Sequence, residues 1–174
     1  KGSYIYDVNG KSYLDFVAGV SANTLGHSNP IITNAVKEQL DKYTHVMVYG
    51  EYVQSPQYKL AKLLSENLPD NLSCTYFTNS GAEAIEGAMK LAKRATGRAE
   101  IISCKDSYHG STQGALSIMG NENYKAKYRP LLPNCNTINY NDKNSLKKIT
   151  KQTAAVVIEL IQGGTGFITI TNDF

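Results

Sequence analysis

The residues of this chain best suited to chemistry are Asn79-Ser80-Gly81-Ala82-Glu83, a run of small residues leading into a patterned amphipathic stretch. The first N–H groups of a helix have no acceptor within it and sit at the positive end of its dipole, so such a start can hold a phosphate. Gly81 and Ala82 would let a bulky anion approach the backbone. The same residues also suit an ordinary cap, in which Asn79 or Ser80 accepts from the helix start. On the local sequence both readings stand.

The elements that must position this turn can be read outward from it. Thr75-Tyr76-Phe77-Thr78 is β-branched and aromatic, and the punctuation after it predicts a short strand. Ala82, Ile85, Ala88, Met89 and Ala92 recur at three- and four-residue steps and predict a helix with one apolar stripe. Glu83 and Glu86 near its start, and Lys90, Lys93 and Arg94 near its end, complement the dipole, and Gly97 supplies a stop.

Upstream, Tyr4-Ile5-Tyr6 and Tyr13-Leu14-Asp15-Phe16 flank Asn9-Gly10 and predict an antiparallel hairpin. Residues 29–43 read as a helix with Pro30 in its first turn and Ile32, Ala35, Val36 and Leu40 on one face. Residues 56–68 read as a second, with Leu60, Ala61, Leu63 and Leu64 inward. Downstream, Ile101-Ile102-Ser103 and Ala154-Ala155-Val156-Val157-Ile158 predict strands, the latter fully buried. Residues 134–144 read as a loop with at most one short strand. The alternation argues for an α/β layer with a mainly parallel sheet.

Composition excludes several classes. Lys and Arg number 18 against 15 acidic residues, and a balance of +3 is too mild for a nucleic-acid or membrane surface. Cys74, Cys104 and Cys135 are odd in number and far apart, which fits neither a disulfide framework nor a metal pair. His27 and His45 show no acidic or histidine partner at ligand spacing, so no metal site is expected. No apolar run approaches a membrane span and no leader opens the chain, so a cytoplasmic location is the default expectation. Neither a Gly-x-Gly-x-x-Gly after the first parallel strand nor a P-loop occurs, which disfavours a nucleotide-binding protein.

Three stretches in order carry a family resemblance: residues 79–86 (NSGAEAIE), residues 107–112 (SYHGST) and residues 159–163 (ELIQG). Together they resemble the class III (subgroup II) aminotransferases, which use pyridoxal 5′-phosphate. Residues 19–27 (GVSANTLGH) followed by Asn29-Pro30 are similar to the loop before the first long helix of acetylornithine aminotransferases. The resemblance implies a fold type I PLP-transferase architecture, with residues 1–28 belonging to a small domain, 29–54 a linker helix and loop, and 55–174 the first part of a large coenzyme domain. It also implies a chain shorter than the family's length.

Residue by residue, the resemblance implies that Gly81 and Ala82, with Ser80, hold the coenzyme phosphate, and that Tyr108 lies against the pyridine ring. His109 is expected to line the pocket without a catalytic role, and Glu159 to close a strand at its carboxyl end, where open α/β sheets place ligands. The alternatives are a surface tyrosine, a structural histidine and a solvated strand end. The family's Schiff-base lysine and its aspartate motif are not found here, so this chain by itself is expected not to transaminate. Lys37, Lys90 and Lys93 fall on polar helix faces.

Val20 and Ser111 stand at substrate-contacting positions. Val20 replaces a tyrosine of ornithine aminotransferases, which favours acetylornithine-like donors. Ser111 replaces an arginine that would grip a carboxylate. Leu160 and Gly164 depart from the usual proline and glutamate, which puts ordinary glutamate/2-oxoglutarate exchange in question. The resemblance implies an amino donor, a 2-oxo acid and a homodimer in the full-length form. A noncatalytic coenzyme- or phosphate-binding homologue is the alternative. An interrupted parallel sheet also predicts poor stability for residues 1–174 alone.

Overall fold

The computed structural model describes residues 1–47 and 49–174, which form two units, Lys1–Thr75 and Tyr76–Phe174. In the first, β1 (Tyr4–Tyr6) and β2 (Ser12–Leu14) pair antiparallel as expected, with Ile5 opposite Tyr13. The Asp7 carboxylate closes the turn, accepting from Asn9 N–H at 2.9 Å and Lys11 N–H at 3.0 Å, while Gly10 takes the left-handed conformation that a side chain would resist. Helices α1 (Pro30–Lys42) and α2 (Ser55–Asn67) follow. Asn29 caps α1 by accepting from Ile31 N–H, and Pro30 sits where its missing donor costs nothing.

Two expectations in this unit are corrected. Of the α2 residues expected inward, Leu60 and Leu63 are exposed and Ala61 and Leu64 only half-buried; the apolar face of α1 (Ile32, Val36, Leu40) is exposed as well. Periodicity marks the face that can be covered, but only a neighbour covers it. His27 does have an acidic partner: Nε2 lies 2.6 Å from Asp15 Oδ2, and Nδ1 lies 2.9 Å from Asn23 Nδ2. The bond from His27, then that from Ala18 N–H, holds the Asp15 carboxyl below its usual range.

The second unit carries the sheet. Helix α3 (Gly81–Thr96) leads through Gly97, left-handed at φ 67°, into β3 (Glu100–Cys104). Then come α4 (Gln113–Ser117), α5 (Glu122–Lys125), β4 (Cys135–Ile138) and β5 (Thr153–Val157). The order is β4-β3-β5 and both pairings are parallel. A short antiparallel pair, β6 (Ile161–Gln162) and β7 (Ile168–Thr169), closes the unit.

Strand β3 is central, so both its faces are covered and side-chain alternation sends Ile101 and Ile102 to opposite cores. Ile101 packs with Met89 and Ile118, flanked by Ile85 and Ala92 of α3. Ile102 and Cys104 pack with Ile138, flanked by Tyr140, Leu146 and Phe174. The one short strand allowed between 134 and 144 is β4, which pairs with β3 along four residues. β5 is only half-buried rather than fully buried, because it forms one edge of the three strands.

The strand expected at Thr75–Thr78 is not formed. The run makes no ladder among the described residues, and extended residues without a partner are not a strand. Ala88 is exposed; of the expected α3 stripe Met89 is buried and Ala82, Ile85 and Ala92 are half-buried.

Ile101 is fully enclosed, so Ile101→Ala in the full-length protein should cost about 2–5 kcal/mol. Val8→Ala, at a fully exposed position, should shift stability by less than about 0.5 kcal/mol. Denaturant midpoints measure both, and equal effects would contradict this placement of the core.

Candidate functional site

The start of α3 combines the two readings of its sequence. Ser80 caps the helix, its Oγ accepting from Glu83 N–H at 3.2 Å, while Glu83 reaches back to accept from Asn79 N–H at 2.6 Å. This is close to a capping box: Glu83 stands at the usual third position but accepts from the N–H of the residue before the cap. The cap uses the Glu83 donor and leaves Gly81 and Ala82 N–H without an acceptor in their own helix. The Ser80 hydroxyl proton is also free to donate.

Facing this start is the segment that leaves β3. It turns at Ser107, which is buried and donates to Cys104 carbonyl at 2.6 Å, and Gly120 N–H donates back to Ser107 carbonyl at 3.0 Å. A Cβ at Gly120 would collide with Cys104 carbonyl and Ser107 nitrogen, so only glycine permits this crossing. Tyr108 N–H then donates to Glu159 Oε2 at 3.1 Å. Glu159, two residues beyond β5, thereby fixes the backbone under the Tyr108 ring.

Gly110 adopts φ 127° and packs directly on Ala82. Its backbone conformation and the absence of a Cβ bring residues 108–112 down onto α3. Tyr108 OH and Ser111 Oγ lie 3.2 Å apart. Gly81, Ala82, Ile85, Tyr108, His109, Gly110, Ser111 and Thr112 line one open cavity of about 790 Å³.

His109 is 8% exposed and its Nε2 has no hydrogen-bond partner among the described residues. Burial lowers its pKa, and the nearby Glu159 charge opposes this without reversing it. The ring is therefore neutral at neutral pH. Burial, with Glu159 reinforcing it, pushes the Cys104 thiol up to about 11, so Cys104 is an inert core residue.

The structure thus brings Gly81, Ala82, Tyr108, His109 and Ser111 to one cavity, with Ser80 and Glu159 supporting its walls. Val20 lies in the first unit, exposed, in a left-handed turn at φ 54°. Sequence reasoning missed Glu86. Its Oε1 accepts from Thr112 Oγ at 2.7 Å, Gly114 N–H at 2.7 Å and Ala115 N–H at 3.2 Å, so a side chain of α3 caps α4. Burial raises its pKa, but the bonds from Thr112, Ala115 and Gly114 outweigh this and hold it below the usual range. One signal was available: Glu86 stands four residues after Ala82 and three before Met89, a charge inside an apolar stripe, and such a charge needs partners.

The Aminotransferase class-III family model matches residues 1–174. An acetylornithine aminotransferase of Archaeoglobus fulgidus is 41% identical over all of this chain and 46% of that protein. The structure of an adenosylmethionine-8-amino-7-oxononanoate aminotransferase from Methanocaldococcus jannaschii superposes with a TM-score of 0.90 at 33% identity, covering 99% of this chain and 42% of that one. A taurine:2-oxoglutarate aminotransferase of Bifidobacterium kashiwanohense, solved with PLP and glutamate, superposes at 0.85 with 29% identity over 98% of this chain and 44% of its own. The chain spans about half the length of the curated relatives it matches.

The two site glycines should behave oppositely when given a methyl group. At Gly110 a Cβ would lie 2.7 Å from Ala82 Cβ, whereas at Gly81 it would meet nothing within 4 Å. Gly110→Ala should destabilise the full-length protein by about 1–3 kcal/mol and Gly81→Ala by less than about 0.5 kcal/mol. Urea unfolding measures the difference, and a silent Gly110→Ala would contradict the packing described.

Proposed function

Because this chain belongs to the class-III aminotransferases, we propose that its cavity is part of a pyridoxal 5′-phosphate site. The full-length protein would move an amino group from an amino-acid or ω-amine donor to a 2-oxo acid. The observation that carries the reading is the meeting of a helix start with free N–H groups and an aromatic ring in one cavity. The residues present fit the coenzyme: backbone donors for its phosphate that their own helix does not use, open space at Gly81, a ring at Tyr108, and a buried nitrogen of His109 without a partner among the described residues.

When bound, the coenzyme supplies an electron sink for the carbon that exchanges the amino group. The chain's own contributions are binding and orientation. Gly81 and Ala82 N–H, with the Ser80 hydroxyl, hold the phosphate at the positive end of α3. Tyr108 offers its face to the pyridine ring, on a backbone held by Glu159. His109, neutral and enclosed, lines the site without adding charge.

Val20 and Ser111 are the proposed substrate contacts, and the 41% identity to an acetylornithine enzyme supports an acetylornithine-like donor, hence a role in arginine biosynthesis. Among the described residues no lysine lines the cavity, so residues 1–174 alone would not turn over. The domain reading given above belongs to the same proposal, as do a homodimeric, cytoplasmic full-length form and partners confined to small molecules. Among the described residues no helix is long and apolar enough to cross a membrane.

The test is titration of the full-length protein with pyridoxal 5′-phosphate, followed by amino transfer from N-acetylornithine and from ornithine to a panel of 2-oxo acids. Uptake of the coenzyme and a preference for the acylated donor are expected. Tyr108→Ala should weaken coenzyme binding about tenfold, the scale of one lost aromatic stack with its buried area. No uptake, or no effect of Tyr108→Ala, would overturn the site; a preference for ornithine would overturn the donor.

A further inference from the structure

Residues 108–112 form a strap over the start of α3. One end is held where Tyr108 N–H donates to Glu159. Its middle touches α3 through Gly110 and Ala82. Its far end is gathered by Glu86, whose Oε1 takes three donors from Thr112, Gly114 and Ala115. The strap carries Tyr108 and Ser111, linked side chain to side chain, so its conformation sets the plane of the ring over the cavity.

Glu86 lies on the same helix whose first N–H groups face that cavity. Four residues, little more than one turn, separate it from Ala82, a distance of about 6 Å along the axis. One helix therefore carries both the anion-binding end and the fastening for the opposite wall. Gly114 meets the Glu86 carboxylate so closely that a Cβ there would overlap it, leaving no slack in the fastening. Lys90, one turn further on, is the positive charge acting on this carboxylate, and its other partners are uncharged.

We propose that Glu86 is a positioning residue: by tying Thr112 and the start of α4 to α3, it holds the Tyr108 ring at a set angle to the phosphate-binding helix start. The proposal rests on the coenzyme reading. It assigns Glu86 no contact with the coenzyme and no proton transfer. Its effect passes through the strap.

Coenzyme dissociation constant, visible circular dichroism per bound coenzyme, and denaturant midpoint of the coenzyme-free form are measured for full-length wild type, Glu86→Ala and Glu86→Gln. Glu86→Ala removes the acceptor, and should weaken coenzyme binding about tenfold and reduce the dichroism, which reports how the bound ring is held. Glu86→Gln keeps an oxygen for the three donors and should restore both to within about threefold of wild type. A Glu86→Ala protein with a lowered midpoint but wild-type affinity and dichroism would overturn the proposal, because the residue would then be merely structural. If Glu86→Ala does not fold, Thr112→Val, which removes one of the three donors, should show the same change at smaller size, and wild-type behaviour of Thr112→Val would overturn the proposal. A wild type that takes up no coenzyme would instead overturn the coenzyme reading itself, and the proposal with it.

Discussion

The first N–H groups of α3 cannot be satisfied by their own helix, and the rest of the site is arranged around leaving two of them so. Ser80 and Glu83 absorb what capping requires, at Glu83 and Asn79, and stop short of Gly81 and Ala82. Buried donors without partners are costly, but these open onto a cavity, where water or an anion can reach them. Gly110 then brings a second wall to the same place, and two carboxylates, Glu86 and Glu159, hold that wall from either end.

This arrangement explains why the sheet matters to the site. β3 delivers the strap, β5 delivers Glu159, and α3 delivers both the helix start and Glu86. The parallel register of β3 and β5 puts their carboxyl ends side by side, so that Tyr108 N–H can meet Glu159 across 51 residues of sequence. The Met89, Ile101 and Ile118 core presses α3 against the sheet. A shift of that packing would move the helix start away from the strap, so core stability and site geometry are one constraint.

Much of this was legible in the sequence. Helix and hairpin signals located α1, α2, α3, β1 and β2 to within about two residues, the usual boundary uncertainty. The residues grouped by motif at 81–82 and 108–111 do meet in space. What escaped was whatever depends on a partner distant in sequence. Thr75–Thr78 has strand-like residues but no neighbour to pair with among those described. For the asparagine-rich stretch at 134–144 the one short strand allowed there did form as β4, and only its choice of β3 as partner lay beyond local signals. Asp15 and His27 are twelve residues apart with nothing local to join them. Glu86 was legible as a dipole-complementing charge and as part of the 79–86 motif, but its three donors lie 26 to 29 residues away and nothing local announces them.

Whether the α3 start receives the coenzyme phosphate can be seen in a crystal structure of the full-length protein with pyridoxal 5′-phosphate. Phosphate oxygens are expected at about 2.7–3.2 Å from the backbone nitrogens of Gly81 and Ala82, with the ring against Tyr108. A phosphate bound elsewhere, with those two N–H groups facing water, would contradict it.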